Sequence, residues 1–345
     1  MTNILDIFES LLKEYDMAVV ERLELPAREA RCAPTPDAYK PGPIGRWLAG
    51  NRGLENALWR HQAIGLAAAA GGQNVVLSTG TASGKTLVFQ AIAFRALAID
   101  PDARIAVFYP MKALAADQLR SWESAARLIG LPDGTIAKID GDAVIEDRTQ
   151  ALKNARVIIM TPDICHAWLM SRLADAVHKR FLAALKLVVI DEAHVLEAVL
   201  GSNFAFLFRR LQAARNLCRR TQGHAAPLQV IAASATIENP ADHLRALTGL
   251  DFLAVGEDED GSPQHERSLL HIACRLQEGR ATLAELQREL LQRSDEGSFI
   301  TFVDSRQGVE RLAIQSDVQE GSGPIEAATK PRIGRASRTR SAAAG

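Results

Sequence analysis

Short runs of β-branched and apolar residues alternate with longer amphipathic stretches from about Asn74 to Glu257. Such alternation is typical of βαβ units, which build a parallel sheet with helices on both of its faces. The predicted strands are Asn74–Thr79, Arg104–Tyr109, Thr135–Ile139, Arg156–Met160, Leu185–Ile190, Leu228–Ala233 and Asp251–Val255. Several of these runs are mostly apolar without a break rather than alternating, as strands buried on both faces must be. The pattern therefore predicts an α/β fold before any motif is considered.

Apolar residues three and four positions apart predict the core-facing helices between these strands. The predicted helices are Thr86–Ile99, Met111–Ile129, Asp163–Leu182 and Phe204–Arg220. After an acidic, turn-rich stretch, Ser268–Arg275 and Ser298–Val303 predict strands, and Thr282–Arg293 and Ser305–Ala313 predict helices. A second α/β unit is therefore expected to begin near residue 265.

Composition divides the chain into five predicted parts. Residues 1–53 form an N-terminal lead-in, because the part from residue 26 is rich in proline, glycine and arginine and suits an extended segment. Residues 54–256 form the main α/β domain, 257–267 a linker, and 268–314 an incomplete second domain. Residues 315–345 contain few large apolar side chains, so we expect them to be disordered.

Charge and cysteine content limit the classes of partner. The 40 basic residues almost balance the 41 acidic ones, so any nucleic-acid contact must come from a local groove. The N-terminal segment carries charges within its apolar pattern, and no run of roughly 18 apolar residues follows, which predicts a soluble, cytoplasmic protein without a membrane span. None of the four cysteines belongs to a CxxC pair, so no zinc site is expected.

A glycine-containing loop stands between a predicted strand and a predicted helix. Its residues are Thr79, Gly80, Thr81, Ala82, Ser83, Gly84, Lys85 and Thr86. A phosphate group needs converging backbone N–H groups and a helix N-terminus behind them, and this arrangement supplies both. Lys85 is expected to reach the β- and γ-phosphates of ATP, and the Thr86 hydroxyl to ligate Mg²⁺. Thr79 departs from the GxxxxGK[ST] pattern, and the alternative, a turn that only caps a helix, leaves the Lys-Thr pair unexplained.

Two carboxylates follow the apolar run that ends at Ile190. Asp191 and Glu192 begin the tetrapeptide Asp-Glu-Ala-His, which ends at His194. The carboxyl ends of parallel strands form the ligand-binding edge of an open α/β sheet. Asp191 is expected to hold Mg²⁺, and Glu192 to orient and deprotonate the water that attacks the γ-phosphate. Taken alone, the tetrapeptide would also suit the acidic start of a helix.

The ordered set of motifs resembles a superfamily 2 DEAH-box helicase over roughly residues 55–250. Besides the two motifs above, it comprises Leu58-Trp59-Arg60-His61-Gln62, Tyr109–Gln118, Thr161-Pro162-Asp163 and Ser234-Ala235-Thr236. The resemblance implies a RecA-like P-loop NTPase domain in which Gln62 recognises adenine. It also implies that His194 links the ATP site to the neighbouring domain and that Ser234 and Thr236 couple ATP hydrolysis to movement. His61 is interpreted as a structural residue.

The resemblance is closest to YprA/MrfA-type and Lhr-type DNA helicases. The features shared with that group are TGTASGKT, PMKALAADQ, and Asp260-Gly261-Ser262-Pro263 followed by Glu266-Arg267. The stretch 298–306 resembles the opening of a second RecA-like domain. The resemblance to this group implies that the protein unwinds nucleic acid with 3′-to-5′ polarity, and it favours DNA over RNA as the substrate. It also implies a role in genome maintenance or in phage defence.

By the same resemblance, Lys112, Thr161 and Asp163 border the path of the nucleic acid, with Arg306 contributing from the second domain. Such contacts hold phosphates without reading bases. The structural alternatives are a solvated lysine at a helix end, a Thr-Pro-Asp helix cap and a solvated arginine.

No motif with the arginines of the second domain follows residue 306. An arginine finger contributes roughly 10³–10⁵ in rate at related sites, so this chain is expected to bind ATP better than it hydrolyses it. A truncated or frameshifted reading frame and a fragment of a longer polypeptide both fit. Three functions remain open: an ATP-driven translocase, a nucleotide-dependent binding module with little ATPase activity, and an unrelated P-loop kinase or transporter ATPase, which the other motifs disfavour.

Overall fold

The structure is a computed structural model, and its described residues fall into two compact units. One unit is Arg28–Gln264, and the other combines Met1–Ala27 with His265–Gly345. The described residues are 4–15, 17–50, 57–220, 227–235, 237–273, 286, 289, 290 and 293. Arg306, Thr236 and the predicted tail 315–345 lie outside them. In the described part of the chain, no helix is long and apolar enough to cross a membrane.

The strands and helices follow the predicted alternation. The strands are β1 (Ala18–Leu25), β2 (Cys32–Pro34), β3 (Ala57–Trp59), β4 (Val75–Ser78), β5 (Arg104–Phe108), β6 (Ile136–Lys138), β7 (Val157–Met160), β8 (Leu185–Ile190), β9 (Gln229–Ser234), β10 (Leu253–Val255) and β11 (Arg267–Ala273). The helices are α1 (Ile4–Glu14), α2 (Gly42–Gly50), α3 (Arg60–Ala70), α4 (Lys85–Ile99), α5 (Lys112–Leu128), α6 (Ile145–Asn154), α7 (Pro162–Ile164), α8 (Ala176–Ala184), α9 (Ala198–Arg220) and α10 (Pro240–Thr248).

A seven-stranded sheet organises the larger unit in the order β10-β4-β9-β8-β5-β7-β6. Every neighbouring pair in it is parallel. All seven predicted strands are present, and the predicted α/β fold with a parallel sheet is confirmed. Because the strands run the same way, their carboxyl ends meet at one edge of the sheet.

Alternate residues of each strand enter two different hydrophobic clusters. In β4, Val75 and Leu77 join the cluster that contains α2–α5, whereas Val76 joins the cluster that contains α8–α10. In β8, Val189 joins the first of these clusters and Val188 joins the second. Successive side chains of a strand point to opposite faces, so a sheet covered on both faces requires apolar residues at every position.

The segment before the predicted domain differs from the expected extended lead-in. Tyr39, Trp47 and Leu48 are buried in the main core, and the Trp47 ring meets the edge of Phe94 with centroids 5.7 Å apart. The larger unit therefore begins at Arg28 rather than near residue 54. The prolines of this segment do not exclude a packed helix, because proline is tolerated in the first turn of a helix such as α2.

Two further expectations differ from the structure. The single predicted helix Asp163–Leu182 is wrong: α7 continues into a π-helical turn, Cys165–Leu169, and α8 begins only at Ala176. The predicted linker 257–267 is divided between the two units, and its first part forms a 3-10 turn, Glu257–Glu259, followed by buried residues.

The smaller unit contains an antiparallel pair of strands and a small apolar cluster. β1 pairs with β11 along their length, with one irregularity between Val19 and Glu21. Leu11 and Leu12 of α1 are buried with Leu286 and Leu290. The predicted strand Ser268–Arg275 corresponds to β11 over most of its length, whereas the predicted elements from Ser298 lie outside the described residues.

Candidate functional site

The predicted site residues follow strands that are neighbours in the sheet. The phosphate loop follows β4, the Ser234 segment follows β9, and the Asp191-Glu192 pair follows β8. Lys112 follows β5 and Thr161 follows β7. The sheet order therefore brings the nucleotide motifs together on one stretch of the edge and the proposed nucleic-acid motifs beside them.

The phosphate loop contains two left-handed backbone positions before α4 begins at Lys85. Gly84 has φ of +75° and Ala82 has φ of +60°. Glycine adopts this conformation freely, whereas alanine does so at a cost of roughly 1–2 kcal/mol. The backbone of the loop is thus held in a specific shape even where the residue does not favour it.

Lys85 folds back onto this loop. Its Nζ donates hydrogen bonds of 2.8 Å to the carbonyl oxygens of Thr79 and of Gly80. Burial lowers the pKa of Lys85, while the nearby carboxylates of Glu192 and Asp191 act in the opposite direction. The ammonium therefore lies in a partly desolvated position within the field of both acidic residues, where it can exchange carbonyl oxygens for phosphate oxygens.

Asp191 and Glu192 differ in environment. Burial, with repulsion from Glu192, raises the pKa of Asp191 from 3.8 to about 7, although its Oδ1 accepts a 2.9 Å hydrogen bond from the backbone N–H of Glu192. Glu192 itself has φ of +52°, a strained conformation for a residue with a side chain. A carboxylate that is costly to keep charged is well suited to receive a cation.

His194 and Ser78 hold the two consecutive peptide groups on either side of Ala235, in the motif that follows β9. The N–H of Ala235 donates to His194 Nδ1 at 3.1 Å, and Ser78 Oγ donates to the carbonyl of Ala235 at 3.0 Å. Ser234 is fully buried, and its hydroxyl has no hydrogen-bond partner among the described residues. Because Thr236 lies outside those residues, the predicted coupling role of Ser234 and Thr236 stays a prediction.

The side-chain amide of Gln62 faces the phosphate loop. Its Oε1 accepts from the N–H of Trp59 at 3.2 Å, and its Nε2 lies 3.1 Å from the carbonyl of Gly84 and 3.4 Å from that of Ser83. Gln62 is fully buried. The expected contact with adenine remains a prediction, and in this structure the amide serves to hold the loop.

The proposed nucleic-acid residues occupy the same edge. Lys112 Nζ forms an exposed ion pair of 3.0 Å with Asp142. Thr161 is buried, and its Oγ1 accepts from the N–H of Ile164 at 3.4 Å, as a helix cap does. Both geometries match the structural alternatives, so contact of these residues with nucleic acid stays a prediction.

Sequence reasoning missed Asp260. Its Oδ2 accepts a hydrogen bond of 3.3 Å from the N–H of Gly80, in the phosphate loop. Its side chain is fully buried, and Arg28 forms an ion pair with it at 3.1 Å. The sequence marks Asp260–Pro263 only as part of a linker, and the fold shows that Asp260 contacts the loop.

This chain is similar in sequence to known helicases. A model of the DEAD/DEAH box helicase family matches residues 59–244. The ATP-dependent helicase HRQ1 of Saccharomyces cerevisiae is 34% identical over 221 residues, which are 64% of this chain and 20% of that protein. The uncharacterized ATP-dependent helicase YprA of Bacillus subtilis is 29% identical over 313 residues, 88% of this chain and 39% of that protein.

The chain is also similar in structure to solved helicases. The helicase MrfA bound to DNA and AMPPNP has a TM-score of 0.75 at 26% identity, over 89% of this chain and 42% of that one. The Mycobacterium smegmatis helicase Lhr bound to ssDNA and AMP-PNP has a TM-score of 0.55 at 25% identity, over 80% of this chain and 36% of that one. These matches confirm the resemblance to YprA/MrfA-type and Lhr-type helicases. The chain spans less than half the length of each of these four proteins.

Proposed function

Because the chain belongs to the DEAD/DEAH box helicase family, we propose that it is the ATP-binding motor domain of an ATP-dependent DNA helicase or translocase. The observation that carries the proposal is the convergence of Lys85 with Asp191 and Glu192. Lys85 follows β4 and the acidic pair follows β8, two parallel strands separated only by β9, so their carboxyl ends lie at one edge of the sheet; both carboxylates act to raise the pKa of Lys85 against the effect of its burial. A half-buried cation beside two acidic side chains, at the start of a helix, suits a triphosphate and its metal ion.

Each residue has a distinct role in this proposal. Lys85 leaves the carbonyls of Thr79 and Gly80 and binds the β- and γ-phosphates. The Thr86 hydroxyl and the Asp191 carboxylate hold Mg²⁺, which when bound neutralises charge on the phosphates. Glu192 orients the attacking water and accepts its proton.

The available donors fit magnesium better than a fully protein-bound metal. Within the described residues, no group of three or more His, Cys, Asp or Glu side chains could enclose an ion. Mg²⁺ commonly keeps several waters and uses one or two protein oxygens together with phosphate oxygens. One hydroxyl and one carboxylate are therefore a sufficient protein contribution.

The proposed polynucleotide is DNA, bound along the strand ends beside the nucleotide motifs. Lys112 follows β5, which is next to β8 and so to Asp191 at its end, and Thr161 follows β7, on the far side of β5. The solved relatives MrfA and Lhr are described as bound to DNA and to ssDNA. Such a placement allows one edge of the sheet to contact both ATP and a phosphate backbone.

The test is steady-state ATP hydrolysis by the 345-residue chain, with and without single-stranded DNA. Hydrolysis stimulated by DNA, and lost in Glu192→Gln while Mg·ATP binding persists, is the expected result. Nucleotide binding without turnover would favour the alternative of a nucleotide-dependent binding module. Absence of nucleotide binding by the folded parent chain would refute both.

A further inference from the structure

A buried turn, residues 260–262, packs behind the phosphate loop. Asp260 Oδ1 accepts hydrogen bonds from the N–H and from the hydroxyl of Ser262, at 2.9 and 2.7 Å. Arg28 neutralises the other oxygen and also donates to the carbonyl of Ser262, with its Nη2 at 3.2 Å. Since its charge and its polar groups are satisfied, this 260–262 turn can act as a fixed support.

Gly261 brings the turn unusually close to the start of α3. A Cβ atom at this position would lie 2.1 Å from the carbonyl oxygen of Arg31 and 2.6 Å from the backbone nitrogen of Arg60. Only glycine fits there without displacing backbone. The close approach places the N–H of Gly261 3.2 Å from Nδ1 of His61.

This contact assigns the tautomer of His61. A backbone N–H can only donate, so Nδ1 of His61 must accept, and the ring proton therefore lies on Nε2. Nε2 in turn lies 2.9 Å from the carbonyl oxygen of Ser83 and donates to it. The ring is fully buried, and Asp260 Oδ1, at 3.4 Å from Nδ1, is farther away than the N–H of Gly261.

The bond to Ser83 fixes the direction of a phosphate-binding group. In a trans peptide, the C=O and the following N–H point in opposite directions. Turning the Ser83 carbonyl towards His61 therefore turns the N–H of Gly84 away from it, to the other side of the loop. Gln62 acts in the same way on the next peptide, through the carbonyl of Gly84.

We propose that His61 is a positioning residue of the nucleotide site: as the Nε2–H tautomer it connects the 260–262 turn to the Ser83 carbonyl and so aims the Gly84 N–H at the phosphates of ATP. The inference rests on the proposed function, because it assumes that the loop binds a nucleotide. It assigns to this buried histidine a role in affinity for nucleotide in addition to its role in packing.

Two substitutions distinguish the two hydrogen bonds of the His61 ring, one to Gly261 and one to Ser83. An asparagine amide can replace Nδ1, whereas a glutamine amide reaches the position of Nε2. His61→Asn therefore keeps an acceptor for Gly261 and loses the bond to Ser83, while His61→Gln keeps a donor for Ser83. The measurement is equilibrium binding of a fluorescent ATP analogue with Mg²⁺, with thermal unfolding of each variant as a check on folding.

We expect His61→Asn to weaken nucleotide binding about tenfold, which corresponds to one lost hydrogen bond. His61→Gln should restore affinity to within about threefold of the parent. The matched control is His178→Asn, because His178 is also fully buried but lies in α8, outside the nucleotide motifs. It should lower the melting temperature and leave nucleotide affinity unchanged.

Equal nucleotide affinities in parent, His61→Asn and His61→Gln would overturn the inference while leaving the proposed function intact. Failure of the folded parent to bind nucleotide would instead refute the proposed function. If His61→Asn does not fold, nitrogen-edited NMR of the histidine rings in the parent decides the matter. An unprotonated Nδ1 and a protonated Nε2 at His61 are expected, and the opposite tautomer would overturn the inference.

Discussion

Asp191→Asn should stabilise the protein in the absence of nucleotide, and increasingly so as the pH rises. The pKa of Asp191 is raised from 3.8 to about 7 in the folded state. Between these values the folded state holds a proton that the unfolded state has released, so stability falls as pH rises through this window. The full cost above pH 7 is about 4 kcal/mol, as an upper limit, at 1.36 kcal/mol per pKa unit. Asparagine does not ionise, so the variant does not lose this stability as the pH rises.

The assay is urea denaturation of parent and variant, without nucleotide, at pH 5 and pH 8. Since Asp191 is partly exposed, solvent screening reduces the effect, and we expect the difference in unfolding free energy to widen by roughly 2 kcal/mol between the two pH values. Asp258→Asn, which replaces an exposed carboxylate in the same unit, is the control and should show no such widening. A difference between Asp191→Asn and parent that is independent of pH would refute the reasoning.

Three other changes test the site. Lys85→Ala should weaken Mg·ATP binding roughly tenfold to a thousandfold, because two bonds to phosphate outweigh the two carbonyl bonds that the lysine gives up; unchanged affinity in equilibrium binding would exclude the assigned role. Ala82→Gly should raise the unfolding free energy by up to about 1 kcal/mol in urea denaturation, since it relieves a φ of +60°. Replacing Lys112 and Thr161 together by alanine should weaken single-stranded DNA binding and flatten its salt dependence, whatever the DNA sequence; equal slopes in a salt titration would remove these residues from the DNA path.

The parallel sheet and the place of the nucleotide motifs could be predicted because their signals are local. A strand such as β7 is apolar at every position, and only a sheet covered on both faces accommodates that pattern. Lys85 stands at a fixed offset from Gly84, so its place at the start of a helix follows from a short stretch of sequence. Position at the carboxyl edge then follows from parallel topology alone.

The sequence-based predictions differ from the structure where packing between distant parts of the chain decides the conformation. Residues 32–50 contain turn-forming prolines and glycines, yet Trp47 and Tyr39 find partners on α4, which composition alone does not show. The same holds for Asp260, whose partner Gly80 is 180 residues away in the sequence. A glycine, a serine and an aspartate together suggest a flexible turn, and only the opposing Arg28 makes that turn a buried support.

The motif after β9 shows how such long-range contacts constrain a mechanism. The N–H of Ala235 donates to His194, which follows β8, and the carbonyl of Ala235 accepts from Ser78, at the end of β4, so the two peptide groups on either side of Ala235 are both held. Each of these two side chains is close in sequence to a residue of the proposed nucleotide site: His194 to Glu192, and Ser78 to Thr79. A displacement of either the acidic pair or the phosphate loop therefore acts on the backbone at Ala235. Coupling by Ser234 and Thr236 stays a prediction, and the two hydrogen bonds to Ala235, which lies between them, are the contacts that favour it.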